Sequence, residues 1–246
     1  MSKRNKASEK RGVPGKGKHD RGLAWNSLMK NDTARYPESK GQKQNPANHP
    51  WFYQSGSLQA HHIIPIQCMQ KSINWEKIAK TIGYDINHWR NVVILPATPE
   101  LACQLGVQIH SGPHSAGRYG IRNYVQGVKQ RLDDILDDIM DGDLCEDSLS
   151  DIVILIDDES EAILRKIETF SCTISANGHY YEAGKSGCRN ASVKESEHNI
   201  NRDKPCAYRH NSENGLGNKH LLTHLFVKNN EPSMVISKTE SLEVGK

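Results

Sequence analysis

The stretch Leu58-Gln59-Ala60-His61-His62-Ile63-Ile64-Pro65 places two adjacent histidines in an apolar run that ends at a proline, which predicts a short strand. Because successive side chains of a strand point to opposite faces, the two rings cannot easily bind one ion together. They suit a division of roles, in which one imidazole holds a cation and its neighbour takes a proton from water. Twelve histidines in 246 residues produce neighbours by chance, so the pair gains its weight from the sequence downstream.

Two further histidines downstream supply candidate metal ligands at a regular spacing. His110 and His114 stand four residues apart, an offset that lets two rings on a helix face one point. With His61 they would offer a divalent ion three nitrogen ligands and leave positions for water and phosphate oxygens, as a catalytic site requires. A lone pair at this spacing is commonly a coincidence at a helix terminus. Its coupling to the His61-His62 pair favours the catalytic interpretation.

A second apolar run lies between these two groups of histidines. Val92-Val93-Ile94-Leu95-Pro96 is rich in β-branched residues and ends in proline, which predicts another short strand. The whole series resembles the AHH family, nucleases of the HNH/endonuclease VII superfamily named for an Ala-His-His tripeptide that stands here at residues 60–62. The resemblance covers roughly residues 55–132 and rests on His61-His62-Ile63-Ile64-Pro65, Asn91 before the second run, His110-x-Gly112-x-His114 and Tyr119.

The resemblance implies an α+β fold with a ββα-metal nuclease core, embedded in a mostly helical domain. In such a core a two-stranded hairpin packs on one helix, with the ion between them. It implies that the metal ligands are His61, His110 and His114 and that His62 is the general base. Asn91 would brace the loop of the hairpin, for instance by aligning the His62 ring. One departure from the family pattern is a glycine at residue 120, where an asparagine is usual.

Three arginines lie close in sequence to the proposed site, namely Arg90, Arg118 and Arg122. Each could grip a phosphate group through its planar guanidinium fork. Arg118 and Arg122 would share one face of a helix that we expect to begin at Gly112-Pro113, since proline suits the first helical turn. The alternative for each arginine is an ion pair with the acidic stretch that follows.

Charge is strongly segregated along the chain, although the net charge is only +3. Residues 1–50 contain twelve Lys or Arg against four acids, and residues 133–161 contain thirteen acids and no Lys or Arg. The basic segment has no sustained apolar period, so we expect a flexible arm. It is either a contact region for a polyanion such as DNA or a solvated tether.

These patterns divide the chain into three parts. They are the basic arm over residues 1–50, the nuclease domain with its acidic helical extension over residues 51–170, and a small or irregular polar extension over residues 171–246. Within them we expect helices near residues 74–82, 99–106, 112–142 and 148–170. Tyr124 falls on the apolar face of the third helix, where it would contribute packing. We also expect a tight turn at Asn177-Gly178, which could join two strands as a hairpin, and a frayed tail over the last fifteen residues.

The remaining metal-binding residue types show no regular spacing. Six cysteines occur without a C-x-x-C pair, so zinc ribbons and redox motifs are not expected. Reduced thiols are the expectation for the first three, while Cys172, Cys188 and Cys206 are open to disulfide or metal bonding. Cysteines and histidines between residues 172 and 224, including His220 and His224, offer a second, structural zinc site only as an alternative to ordinary polar surface.

These observations predict a metal-dependent endonuclease that hydrolyses DNA with little sequence specificity, because no base-reading helix is evident. Its cofactor would be one divalent ion: zinc, nickel or magnesium, with nitrogen ligands favouring the transition metals. RNA as the substrate, or a non-catalytic metal-stabilised nucleic-acid-binding protein, is the alternative.

The resemblance also implies a biological role, because such domains resemble the toxic domains of polymorphic toxins and secreted effectors. An antibacterial toxin of this kind has a cognate immunity protein as its partner. No apolar run spans a membrane and no signal peptide is visible. We therefore expect synthesis in the cytoplasm and transfer into a target cell's cytoplasm by a specialised secretion apparatus.

Overall fold

The two apolar runs form the strands that position the site. In this computed structural model β1 (Leu58–His62) pairs antiparallel with β2 (Val92–Pro96), with His61 opposite Val93 and His62 opposite Val92. Every residue of β2 is buried, as expected for a continuous apolar run. The structure describes residues 21–37, 45–52, 55–70, 72–141, 149–182, 185, 227–228, 231–232 and 242–246.

The two strands are joined by a long helical connection. It contains α2 (Ile66–Gln70) and α3 (Ile73–Ile82), the second of which confirms the helix predicted for residues 74–82. Ser72 caps α3 by accepting a hydrogen bond from the backbone N–H of Trp75, and Gly83 ends it in the left-handed conformation at φ 69°. Trp75 is fully buried, so one face of α3 belongs to the core.

The chain after β2 forms one short helix before it reaches the second histidine group. This helix, α4 (Pro99–Leu105), begins with proline and ends at Gly106, whose φ is 63°. A 3-10 turn (His114–Ala116) follows, and then the two-residue strand β3 (Arg118–Tyr119).

The long helix predicted to begin at Gly112-Pro113 begins eleven residues later, as α5 (Tyr124–Met140). Asn123 fixes that start with a capping box: its side chain accepts from the Gln126 backbone N–H, and the Gln126 side chain accepts from the Asn123 N–H. Gly120, at φ 61°, turns the chain just before it. The predicted start was therefore wrong, because capping at Asn123 outweighs the preference of proline for a first turn.

The acidic part of the chain continues into α6 (Leu149–Glu168), close to its predicted bounds. Strand β4 (Cys172–Thr173) then pairs antiparallel with β3. The tight turn predicted at Asn177-Gly178 is present, closed by the Gly178 N–H that donates to the Ser175 carbonyl at 3.2 Å. It leads into a 3-10 turn over residues 178–181, so the hairpin considered there does not form. Gly178 packs so closely on Gln108 that a Cβ there would lie 2.7 Å from Oε1. Farther along, β5 (Val227–Lys228) pairs with β6 (Glu231–Pro232), whereas His220 and His224 lie outside the described residues.

The expected flexible arm is partly helical. Helix α1 (Arg21–Asn31) packs against β1, and Ala24 and Leu28, four residues apart on one face, are fully buried. Tyr36 is buried as well. The prediction of a flexible arm was therefore wrong for residues 21–37, because a few apolar side chains at helical spacing suffice when a core is available to cover them. Residues 1–20 lie outside the described residues.

His49 is a buried histidine remote in sequence from the predicted site. Its Nδ1 accepts a hydrogen bond from the backbone N–H of Trp51 at 3.1 Å, and 4% of the residue is exposed. Burial, assisted by the nearby Arg35 guanidinium, lowers the pKa of His49 to about 3. The ring therefore stays neutral in the folded protein and has a structural role.

The last residues cover the outer edge of β2. The backbone N–H of Gly245 donates to the carbonyl of Val92 at 2.6 Å, and that of Ile94 donates to the carbonyl of Lys246 at 3.0 Å. Leu242 is buried with the core. The predicted frayed tail was therefore wrong for residues 242–246, because the edge of β2 offers hydrogen bonds that a tail can complete.

The larger of two hydrophobic clusters among the described residues joins most of these elements. It receives Leu28 from α1, Ile94 from β2, Trp75 from α3, Val128 from α5 and Ile163 from α6. The β1–β2 pair is thereby held between helices, which fixes the direction of the side chains that leave β1. Within the described part of the chain, no helix combines the length and apolar character needed to cross a membrane.

Candidate active site

Three histidine rings from separate parts of the chain meet beside β1. His61 belongs to β1, His110 lies in the loop after α4, and His114 opens the following 3-10 turn. The ring centroids are 4.9 Å apart for His61–His110, 4.9 Å for His61–His114 and 5.2 Å for His110–His114. One ring nitrogen from each residue lies within 4.8 Å of the others. The structure thus brings together the three residues predicted as metal ligands.

The backbone of this loop explains how His110 and His114 converge without a helix. The backbone N–H of His110 donates to the carbonyl of Pro96 at 2.7 Å, which ties the loop to the end of β2. Gly112, at φ 86°, then bends the chain between the two histidines. The prediction that both rings share a helical face was wrong in its geometry, although the rings do face one point.

The tyrosine that begins α5 orients the His61 ring. The Tyr124 hydroxyl donates to the carbonyl of Ile63 at 2.5 Å. His61 Nε2 lies 3.4 Å from the Tyr124 hydroxyl oxygen. Burial raises the pKa of Tyr124, so its hydroxyl keeps its proton. Since that proton goes to Ile63, the tyrosine oxygen accepts from Nε2–H of His61. The nitrogen of His61 available to an ion is then Nδ1.

His110 and His114 are oriented by acceptors in the same way. His110 Nδ1 lies 2.9 Å from Oε1 of Gln59, which stands two residues before His61 on the same side of β1. His114 Nδ1 lies 2.9 Å from the carbonyl of Ile174. Because both partners are oxygens that can only accept, each ring donates from Nδ1 and offers Nε2 to an ion.

Gln108 holds in place the backbone segment that orients His114. Its side-chain amide donates to the carbonyls of Ile167 and Cys172 at 2.7 and 2.6 Å, and its Oε1 accepts from the N–H of Ile174 at 2.9 Å. These bonds clamp the end of α6 and β4 to the loop that precedes His110. They thereby fix the Ile174 carbonyl that orients His114.

The chemistry of the three rings fits a divalent ion. His61 is fully buried and His110 is 7% exposed, whereas His114 is partly exposed, so the cluster opens on the side of His114. Three imidazoles whose outer nitrogens are hydrogen-bonded are a ligand set typical of transition-metal ions. A site that opens to solvent on one side leaves room for water and substrate, as in catalytic rather than structural centres.

His62, the predicted general base, has a different neighbour from the one expected. Its Nε2 lies 2.9 Å from Oδ1 of Asn87, and both residues are buried. The Asn87 side chain is in turn bonded to Asp85, whose Oδ1 accepts from the Asn87 backbone N–H at 2.9 Å and from Nδ2 at 3.4 Å. Sequence reasoning missed Asn87, because nothing in the spacing of residues 62 and 87 indicates that they meet.

Asn91 braces the connection between the strands, as predicted, but through the backbone. Its Oδ1 accepts from the N–H of Ile64 at 2.8 Å, and its Nδ2 donates to the carbonyls of Ile64 and Ile86 at 3.1 and 2.9 Å. Ser160 of α6 adds a hydroxyl 3.3 Å from Oδ1. Alignment of the His62 ring, suggested for Asn91, is provided by Asn87 instead.

The predicted phosphate-binding arginines occupy two different settings. Arg90 forms the alternative ion pair, with Nε 3.6 Å from Asp157 of the acidic stretch, and its guanidinium stacks on Trp89 at 4.7 Å. Arg118 and Arg122 are exposed on the turn after His114. They do not share a helical face as predicted, because Arg118 lies in β3 and the turn closes by backbone hydrogen bonds between residues 119 and 122.

The cysteines within the described residues form no disulfide and belong to no metal-binding cluster among those residues. Cys68, Cys103 and Cys172 are buried thiols that form no disulfide. Burial raises the pKa of Cys68 and of Cys172 to about 12, which keeps both thiols protonated. Cys145, Cys188 and Cys206 lie outside the described residues, so the bonding predicted as open for the last two stays a prediction.

An antiparallel strand pair, a helix beside it and three convergent imidazoles together define an α+β core of the kind found in HNH-type nucleases. Residues 42–167 match the model of the AHH family, a nuclease family of the HNH/ENDO VII superfamily with a conserved AHH. Because the match spans more than half of the chain, the protein belongs to the AHH family. Nucleases of this superfamily use a divalent metal. Comparisons with curated proteins and with solved structures find no match.

Proposed function

We propose that this protein is a metal-dependent endonuclease that hydrolyses phosphodiester bonds in DNA with little sequence specificity. The observation that carries the proposal is the convergence of His61, His110 and His114, next in sequence to a histidine whose Nε2 is engaged by an amide oxygen. The first feature fits an ion-binding centre, and the second fits a base that accepts protons at one defined nitrogen.

The residues of the chain divide the chemical work. Hydrolysis needs a deprotonated water in line with the scissile bond and neutralisation of charge on the leaving oxygen. His61, His110 and His114 would hold a divalent ion, which when bound would stabilise that charge as a Lewis acid. His62 takes the proton at Nδ1, since its Nε2 donates to Asn87. His62 is 3% exposed and its Nδ1 is buried, so a reacting water can reach this nitrogen only if the side chains around it move when substrate binds.

Arg118 and Arg122 are the phosphate contacts that we propose. Both are exposed and lie within eight residues of His114, so a nucleic acid at the open side of the cluster passes near them. Contacts of arginine with phosphate hold the backbone and carry no sequence information. This is the basis for the low specificity in the proposal.

The biological role that we propose is an antibacterial toxin, carried into a target cell by a specialised secretion apparatus and neutralised in its producer by an immunity protein. Its basis is the resemblance of such family members to the toxic domains of secreted effectors. An immunity protein with acidic groups opposite Arg118 and Arg122 would cover the open side of the cluster. Co-expression with a candidate immunity protein, scored as rescue of growth, tests this part.

The experiment that tests the activity incubates chelator-treated protein with plasmid DNA and, separately, with structured RNA, before and after a divalent ion is restored. We expect DNA nicking that requires the ion. Cleavage of RNA alone would replace the proposed substrate, and cleavage that persists in chelator would contradict the metal dependence. An ion-bound protein that cuts neither polymer would favour the non-catalytic alternative.

The matched variant for this experiment is His62→Gln rather than alanine. His62 is buried, so truncation would leave the Asn87 carbonyl without its donor and cost about 1–3 kcal/mol. A glutamine amide can donate to Asn87 in place of Nε2 but accepts protons poorly. His62→Gln should therefore keep the fold and the ion affinity. Its cleavage rate should fall by about 10²–10⁴-fold, the factor that a general base contributes. Retained activity would remove His62 from the mechanism.

A further inference from the structure

We infer that Asn87 is a positioning residue for the general base His62, and that Asp85 sets the orientation of the Asn87 amide. The inference rests on the proposed function and deepens it, because it assigns roles to two residues outside the motifs that predicted the site.

The hydrogen bond between His62 and Asn87 determines which ring nitrogen carries the proton. Nε2 lies 2.9 Å from Oδ1, and an amide oxygen can only accept. The neutral ring is therefore held as the Nε2–H form, in which Nδ1 is the nitrogen that accepts a proton. His62 is 3% exposed and Asn87 is 1% exposed, so the bond lies in a setting of low dielectric constant, where it holds one ring orientation firmly.

Asp85 explains why Asn87 presents its oxygen and not its NH2 group to the ring. The Asp85 carboxylate accepts from the backbone N–H of Asn87 at 2.9 Å and from its Nδ2 at 3.4 Å. A carboxylate oxygen accepts hydrogen bonds, so it pairs with the NH2 end of the amide. The other end, Oδ1, then faces His62. The partly exposed Asp85 carboxylate thus fixes the orientation of the buried Asn87 amide, and the amide fixes the orientation of the His62 ring.

The hydrogen bonds that orient the three ligand rings come from other residues, namely Tyr124, Gln59 and Ile174. A change at Asn87 should therefore affect proton transfer and leave ion binding intact. Asn91 has a different role from Asn87, because its side chain bonds to backbone atoms of Ile64 and Ile86 and not to the His62 ring.

The kinetic test compares Asn87→Ala with Asn87→Asp, using steady-state cleavage of a labelled duplex by the ion-loaded protein. Alanine removes the acceptor, and we expect kcat to fall about 10- to 100-fold, part of what complete loss of a base costs. KM and the Kd for Zn²⁺ should stay within about twofold. Asn87→Asp keeps an acceptor for His62 and should restore kcat. The double variant Asp85→Asn with Asn87→Asp should restore kcat most fully, because it avoids two adjacent carboxylates. Asn74→Ala, an exposed change in α3, is the control that should match the original protein.

The spectroscopic test needs no cleavage. In chelator-treated protein with ¹⁵N-labelled histidine, the His62 signals, identified by their loss in His62→Gln, should show the Nε2–H form. Asn87→Ala should give a mixture of both forms. An Nδ1–H form in the original protein, an Asn87→Ala variant with unchanged kcat, or an aspartate variant no better than alanine would overturn the inference. If Asn87→Ala does not fold, the His62 spectrum of the original protein and the kcat of Asn87→Asp still test the inference. If the protein cleaves neither DNA nor RNA, the proposed function fails, while the ring spectrum still decides whether Asn87 fixes His62.

Discussion

Removal of one oxygen atom, by Tyr124→Phe, should loosen the candidate metal centre from its buried side. The hydroxyl links the backbone and the His61 ring: it donates to the Ile63 carbonyl at 2.5 Å and lies 3.4 Å from His61 Nε2. Phenylalanine keeps the packing of a side chain that is 0% exposed. The substitution therefore isolates the two hydrogen bonds.

The magnitudes follow from these two contacts. Loss of the donor to the Ile63 carbonyl leaves a buried acceptor unsatisfied, which costs about 1–3 kcal/mol of the free energy of unfolding. Changes in outer hydrogen-bond partners of metal ligands typically cost about 10–100-fold in affinity. A 3.4 Å separation is long for a hydrogen bond, so we expect the lower end, about tenfold weaker ion binding.

The assay is calorimetric titration of Zn²⁺ into chelator-treated protein, together with urea unfolding. Tyr119→Phe is the matched control, because the Tyr119 hydroxyl is buried and makes no hydrogen bond within the described residues. That control should retain the original Kd and should not lose stability. If Tyr124→Phe also kept the original Kd and unfolding free energy, Tyr124 would not orient His61.

Three more predictions concern other parts of the molecule. Because burial lowers the pKa of His49 to about 3, only the unfolded chain protonates this residue at mildly acidic pH. Its contribution to stability is lost from about pH 6.5 downward, at about 1.4 kcal/mol per pH unit, so His49→Asn should flatten the pH dependence measured by urea unfolding between pH 7 and 5. Gly245 has φ 77°, and a Cβ there would lie 2.7 Å from Trp89. Gly245→Ala should therefore lower the free energy of unfolding by about 1–2 kcal/mol. An unchanged free energy of unfolding would mean that residues 242–246 do not cover β2. Arg118→Ala with Arg122→Ala should lower the slope of log affinity for duplex DNA against log salt by about 2, measured by fluorescence anisotropy, and an equal slope would remove both as phosphate contacts.

The sequence was most informative where short-range rules act alone. Both site strands were predicted from apolar, β-branched runs ending at Pro65 and Pro96, and α3 from its apolar face and Gly83. The start of α5 was missed because two local rules compete there, and the capping box at Asn123 is stronger than the preference of Pro113 for a first turn. Helix α1 was missed because its stability comes from packing on β1 rather than from its own sequence.

The candidate site shows the same division. The residue types and order of His61, His110 and His114 were enough to predict that they meet. Their orienting partners were not predictable, because those contacts span long stretches of chain: 51 residues from His110 to Gln59 and 60 from His114 to the Ile174 carbonyl. Which polar group reaches a ring over such distances is determined by tertiary packing, and a single sequence does not contain that information in its spacing.

The central claim is that three imidazoles hold one divalent ion. Its most direct test is anomalous X-ray diffraction from crystals of the protein grown with Zn²⁺ or Ni²⁺. We predict one strong peak bonded to Nδ1 of His61 and to Nε2 of His110 and His114, the nitrogens opposite those that the surrounding acceptors engage. A peak bound through other residues, or no peak between these rings at saturating ion, would contradict the claim.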